Sequence, residues 1–100
     1  MLKAINGWTF PAEMPIAEAA REAKAAGFAA FEPVLNAEGD LTPTTDEATC
    51  RRIGDEIRAA GLQVSSLATA LFWRTHYTSS DPAVREAARE LTIACMDRAR

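Results

Sequence analysis

The sequence predicts an α/β fold built on a parallel sheet, and two observations carry that prediction. The pattern Ala-Ala-Gly followed by an apolar residue occurs twice, at Ala25-Ala26-Gly27-Phe28 and at Ala59-Ala60-Gly61-Leu62. Each copy closes a helix-like stretch and opens a short apolar run, because glycine just past a helix end adopts the left-handed conformation without steric cost. The second observation is alternation. Strand-like and helix-like segments succeed one another three times within 100 residues, and such alternation means parallel strands joined by helical crossovers.

Taken in order, the first strand runs from Leu2 to Asn6 and leads into Gly7-Trp8-Thr9-Phe10. The first helix spans Pro15 to Ala26, with proline suited to the first turn and Ile16, Ala19, Ala20 and Ala23 forming a small-residue face for close packing. The second strand runs from Phe28 to Val34, with a carboxylate, Glu32, placed near its end. The second helix is expected to start at Thr44, where Thr44-x-x-Glu47 fits a capping box; Cys50, Ile53, Ile57 and Ala60 then line one face at helical spacing. The third strand covers Leu62 to Ala68. The third helix opens on Asp81-Pro82, a capping acid with proline at the first helical position, and continues through Val84, Ala88, Leu91 and Cys95.

Two sheet orders are compatible with this alternation. The order 1-2-3 with right-handed crossovers puts every helix on one face and leaves the other to be closed by further strands. The doubly wound order 2-1-3 covers both faces and, in a nucleotide-binding protein, follows its first strand with a glycine-rich loop. Asn6-Gly7-Trp8-Thr9-Phe10 holds one glycine and two aromatic rings, which is no phosphate cradle, so the barrel order is favoured. The last residues, Cys95 to Arg100, still read as helix. The expectation is that residues 1–100 form the N-terminal portion (β1α1β2α2β3α3) of one TIM-barrel domain and that the chain is truncated, since eight such units would approach the ~250 residues of a (β/α)₈ barrel.

Composition excludes several classes. Hydrophobic residues make up 48% and charged residues 25%, a globular balance. A net charge of −3, with basic residues scattered among acids, argues against nucleic acid as a partner. No apolar run approaches the ~18 residues of a membrane span, and MLKAINGWTF lacks the core of a secretory signal. Cys50 and Cys95 fall at helical spacing among apolar residues and read as reduced core thiols. A cytoplasmic protein is the expectation.

In a parallel βα sheet, ligands bind at the C-terminal ends of the strands. Five of the seven aromatic residues (Trp8, Phe10, Phe72, Trp73 and Tyr77) follow the first or third strand, as does the single histidine, His76. Loops seldom collect large rings, so this suggests a lined pocket; the alternative is that the rings cap the barrel mouth. Glu32 would be costly inside the strand. At the mouth it can bond a substrate hydroxyl, or it can serve a structural ion pair or backbone cap. His76 reads as a substrate contact, a ligand or a plain polar loop residue, and one histidine alone makes no metal site. Arg74 could meet an anion. Glu38, Asp40 and Asp46 look like turn and capping acids. Ser65, Ser66 and Thr69 have no base nearby in sequence, so a serine nucleophile is not expected.

The order Asn6-x-Trp8-x-Phe10, Ala26-Gly27-Phe28, Phe31-Glu32 and Ala60-Gly61-Leu62-x-Val64 leading into Ser65-Ser66-Leu67 resembles the N-terminal portion of xylose isomerase-like TIM barrels. The segment from His76 to Asp81 and the Arg- and Ala-rich helix after it are also similar. The resemblance implies a sugar or sugar-phosphate isomerase or epimerase that moves a proton next to a carbonyl through an enediolate. It implies a divalent metal (Mn²⁺, Mg²⁺, Co²⁺ or Zn²⁺) whose ligands lie beyond residue 100, and a chain that is inactive on its own. It also implies a substrate-binding rim of Asn6, Trp8, Phe10, Glu32, Phe72, Trp73 and His76, with a homo-oligomer as one possible assembly. The endonuclease IV branch of the same group, a metal-dependent phosphodiesterase in which a histidine near the position of His76 holds zinc, is an alternative, as is a non-catalytic α/β binding module.

Overall fold

The computed structural model describes all residues from Met1 to Arg100. Three strands, β1 (Ala4–Asn6), β2 (Ala30–Glu32) and β3 (Gln63–Val64), alternate with three helices, α1 (Ile16–Ala25), α2 (Glu47–Ala59) and α3 (Pro82–Ala99). The sheet is parallel throughout and its order is β1-β2-β3. This is the barrel order and not the doubly wound one, so the fold is α/β and compatible with part of a TIM barrel.

The register explains where the core lies. Ala4, Ile5 and Asn6 stand opposite Ala30, Phe31 and Glu32, and Phe31 stands opposite Val64. Side chains alternate across a strand, so Ile5 and Phe31 share one face while Ala4, Asn6, Ala30, Glu32 and Gln63 share the other. The first face carries the single hydrophobic core: Phe31, Leu35, Leu41 and Leu62 meet Ala19, Ala20 and Ala23 of α1 and Ile53 and Ile57 of α2. The small-residue face read from the sequence is thus the buried face of α1, where alanines let α1 and α2 come together.

The strands are shorter than the apolar runs predicted. Phe28 and Leu62 feed the core from the αβ turns, and past Glu32 the pairing survives only as a bridge between Val34 and Ala68. Pro33, with no N–H to donate, follows Glu32 and ends the regular ladder between β1 and β2. Gly27 and Gly61 both sit at φ 85°, the left-handed stop predicted for the two Ala-Ala-Gly sites.

The start of α2 corrects the expected capping box. Asp46, not Thr44, is the N-cap, accepting from the Thr49 N–H at 2.8 Å. The threonines form a turn ahead of it, in which Thr45 Oγ1 accepts from the Thr42 N–H at 2.8 Å. Asp40, read as a capping acid, does cap a helix, but across the fold: its carboxylate accepts from the Ile16 N–H at the start of α1, 3.0 Å away. Asp81 and Pro82 open α3 as predicted, with Asp81 accepting from the Ala83 N–H at 2.8 Å.

The placement of α3 was not foreseen. Of its predicted stripe only Ala88 is fully buried; Val84, Leu91 and Cys95 are half-buried. Helices of successive βα units run in the same direction, because each returns antiparallel to parallel strands. Here the last turn of α3 lies beside the first turn of α2, where Asp97, Arg98 and Arg100 meet Thr45, Glu47 and Cys50. Cys50 and Cys95 are both free and half-buried rather than fully enclosed in the core.

Candidate functional site

The ends of the three strands converge on one carboxylate. Asn6 closes β1, Glu32 closes β2, and Ser66 lies just past β3. Asn6 and Glu32 are register partners on the face away from the core. The Asn6 amide Nδ2 donates to Glu32 Oε2, and the Ser66 hydroxyl donates to Glu32 Oε1 at 2.7 Å. Asn6 is itself fixed by a second bond: its Oδ1 accepts from the Trp8 N–H at 2.7 Å, opening a 3-10 turn over Gly7–Thr9. That bond settles which way the amide points, since only Nδ2 is left for Glu32. Gly7 is needed for the approach of this turn to β2, because a Cβ there would lie 3.1 Å from Val34 Cγ2 and 3.4 Å from the Glu32 carbonyl oxygen.

The electrostatics follow from the bonds. The Ser66 hydroxyl first, and the Asn6 amide second, hold the Glu32 carboxyl below its ordinary value against a smaller opposing push from burial. Both donors favour the charged form, so Glu32 is an ionised acceptor at neutral pH. Each of its oxygens has two lone pairs and spends one on the protein, leaving one direction per oxygen for a ligand O–H or N–H. The same bonds make it a poor base: a carboxylate with lowered basicity does not activate Ser66 for nucleophilic attack. Ser66 was discounted from the sequence as a nucleophile, and its real place, as the donor that orients Glu32, was missed. The available signal was positional, since Ser66 follows the third strand as Glu32 ends the second.

The other rim residues divide into separate groups. Trp8 is 56% exposed. Phe10 is half-buried with its ring tilted on Phe31, centroids 6.0 Å apart. Both line a cleft of about 580 Å³ between the loop after β1 and the loop at Asn36–Leu41, a cleft that Glu32 does not reach. Beyond β3, a 3-10 turn spans Leu71–Trp73. Phe72 stacks on Tyr77 at 6.2 Å, and Tyr77 in turn hydrogen-bonds Thr92 of α3. Trp73 is 86% exposed, and His76 is exposed with Nδ1 3.3 Å from Thr78 Oγ1. The structure therefore joins Asn6, Glu32 and Ser66, ties Trp8 to them through its backbone, and leaves Phe72, Trp73 and His76 in a different cluster.

The donor set does not fit a metal. No group of three or more His, Cys, Asp and Glu side chains in this chain is arranged to hold a metal ion. Glu32, the one carboxylate at the strand ends, has a hydrogen-bond donor on each oxygen, an environment suited to O–H and N–H groups. No helix is long and apolar enough to cross a membrane.

No match to a curated protein or to a solved structure reaches significance. A family model does match: the model described as Xylose isomerase-like TIM barrel covers residues 20–100. That span takes in the second half of α1 with β2, α2, β3 and α3, and leaves β1 outside it. The chain belongs to the xylose isomerase-like TIM barrel family.

Proposed function

We propose that this chain supplies the hydroxyl-binding part of the substrate site of a sugar or sugar-phosphate isomerase or epimerase. Isomerases and epimerases are numerous in the family, and endonuclease IV-like enzymes also belong to it. The observation that carries the reading is the carboxylate of Glu32, held ionised by Ser66 and Asn6 with one free lone pair on each oxygen. A polyol offers neighbouring O–H donors for two such acceptors. A phosphodiester offers only acceptors and negative charge there, so the nuclease reading fits this cluster poorly.

In this reading Glu32 binds and orients, while Asn6 and Ser66 keep its oxygens aimed. Trp8, exposed beside Asn6, offers a flat face for the C–H surface of the sugar. Phe10 supports that turn from the core. Phe72, Trp73 and His76 would belong to the far rim, brought to the site by the residues that complete the barrel. The proton moves next to a carbonyl through an enediolate, using groups outside residues 1–100. The family commonly binds divalent metals; no metal donor set is present here, so Mn²⁺, Mg²⁺, Co²⁺ or Zn²⁺ would be held by those same outside residues. The three units would thus be the N-terminal part of a closed barrel, since the outer edges of β1 and β3 carry no partner strand. A cytoplasmic enzyme, with self-association as one assembly, completes the reading.

The test is solvent exchange. Incubated in D₂O with a panel of ketoses and aldoses, the gene-encoded protein should place deuterium on a carbon beside a carbonyl, read by proton NMR. Glu32→Gln should slow that exchange at least about tenfold, near 1.4 kcal/mol on the barrier, with only a small fall in melting temperature: the amide keeps the Asn6 bond and the Ser66 hydroxyl turns to accept, while the charge on the acceptor is lost. No exchange on any sugar, together with cleavage of a duplex at an abasic site, would replace this reading with the phosphodiesterase one.

A further inference from the structure

The loop between β3 and α3 carries the far rim of the proposed substrate site, Trp73 and His76. Each has a chain neighbour in one stacked pair. Phe72 precedes Trp73, Tyr77 follows His76, and the Phe72 and Tyr77 rings lie 6.2 Å apart at 20°. Trp73 is 86% exposed and His76 is exposed as well, so burial fixes neither of them. The ends of the loop are held separately. Leu71 packs against the core cluster, and its N–H donates to Thr69 Oγ1 at 3.2 Å. At the other end Arg85 donates to the carbonyls of Ser79 and Ser80 at 2.8 and 3.1 Å. Between these ends a single hydrogen bond ties residues 72–78 to a helix, and it joins Tyr77 to Thr92 of α3. Their other hydrogen bonds stay within the loop.

The direction of that bond follows from counting hydrogens. Thr92 has one hydroxyl hydrogen and gives it to the Ala88 carbonyl, one helical turn back, at 3.0 Å. The Tyr77 phenol is therefore the donor, and Thr92, held by its own helix, presents a fixed acceptor. We propose that Tyr77 is a positioning residue for substrate binding: its bond to Thr92 clamps the Phe72–Tyr77 pair to α3, and the pair holds Trp73 and His76 in place before a sugar arrives. The inference rests on the sugar reading above. A rim ordered in advance spares the ligand the entropic cost of immobilising two large side chains. Tyr77 acts through its neighbours, so loss of its bond weakens binding and leaves the proton-moving step alone.

The experiment compares the gene-encoded protein with two variants. Tyr77→Phe keeps the stacked ring and loses the donor; Thr92→Val keeps the shape and loses the acceptor. In the sugar exchange assay each should raise KM about fivefold, the size expected for one hydrogen bond, with kcat unchanged. The double variant should be no worse than either single one, because both remove the same bond. Thr92→Ser, which retains the acceptor, should behave as the parent. Amide hydrogen exchange read by mass spectrometry should show residues 72–78 losing protection in Tyr77→Phe while α1 and α2 keep theirs. A KM at the parent value in both single variants overturns the proposal, as does unchanged protection of residues 72–78. Loss of protection throughout α1 and α2 overturns it too, since Tyr77 then serves the whole fold. A parent that exchanges no proton on any sugar ends the sugar reading, and the role of Tyr77 falls with it. A parent that does, with variants of unaltered KM, ends the role of Tyr77 alone.

Discussion

At the scale of single residues, Glu32 turns hydrogen bonding into a pH dependence. Its carboxyl is lowered from an ordinary value of 4.5, chiefly by Ser66. A group lowered on folding stabilises the fold when ionised: the contribution is fully present above the unfolded pKa and is lost as pH falls through the folded one. The melting temperature should therefore fall on acidification below about pH 4.5, and part of that fall should vanish in Ser66→Ala. Carboxyl ¹³C shifts in the two proteins give the direct check, with the Glu32 midpoint higher in the variant; an unmoved midpoint would remove Ser66 from the account. Glu32 was legible in the sequence because an acid at the end of an apolar run is conspicuous. Ser66 was not, because one hydroxyl among Ser65, Ser66 and Thr69 carries no label until the register of β3 against β2 is known.

At the scale of elements, the sequence was most informative about helix ends. Gly27, Gly61 and Asp81-Pro82 act as expected because a stop or a cap is decided within a few residues. Thr44 misled because four candidate caps, Thr42, Thr44, Thr45 and Asp46, crowd one turn, and the choice rests on which oxygen reaches a free N–H. Asp46 wins through its bond to Thr49. Asp46→Ala should lower the thermal midpoint, Asp46→Asn should restore most of it, and Thr44→Ala should leave it unchanged; thermal denaturation followed by circular dichroism distinguishes them. Strand lengths were overestimated because apolar runs mark burial, and residues such as Phe28 and Leu62 are buried from turns, without ladder bonds to neighbouring strands.

At the scale of the whole molecule, the chain is less compact than its length allows. Its accessible surface is 6516 Å², against about 5,500 Å² for an ordinary monomer of this mass. Its radius of gyration is 14.3 Å, against about 13 Å. Stability consequently rests on one small core around Phe31, Leu35 and Ile57. Replacing Phe31 by alanine removes about 3–5 kcal/mol, a large share of the ~5–15 kcal/mol typical of a domain. Phe31→Ala should therefore be mostly unfolded at room temperature by circular dichroism; a cooperative melt above about 40 °C would show that the core is more redundant than its single cluster suggests. The thinness of this scaffold gives the Asn6–Glu32 contact a second meaning. Strands of three and two residues offer few side chains by which to choose an alignment, and a slip of one position would exchange the two faces of the sheet. An amide that finds its carboxylate only when Asn6 stands opposite Glu32 acts as a proofreading mark for strand alignment. The residues best placed to read a ligand are also those that let the chain recognise it has folded in frame.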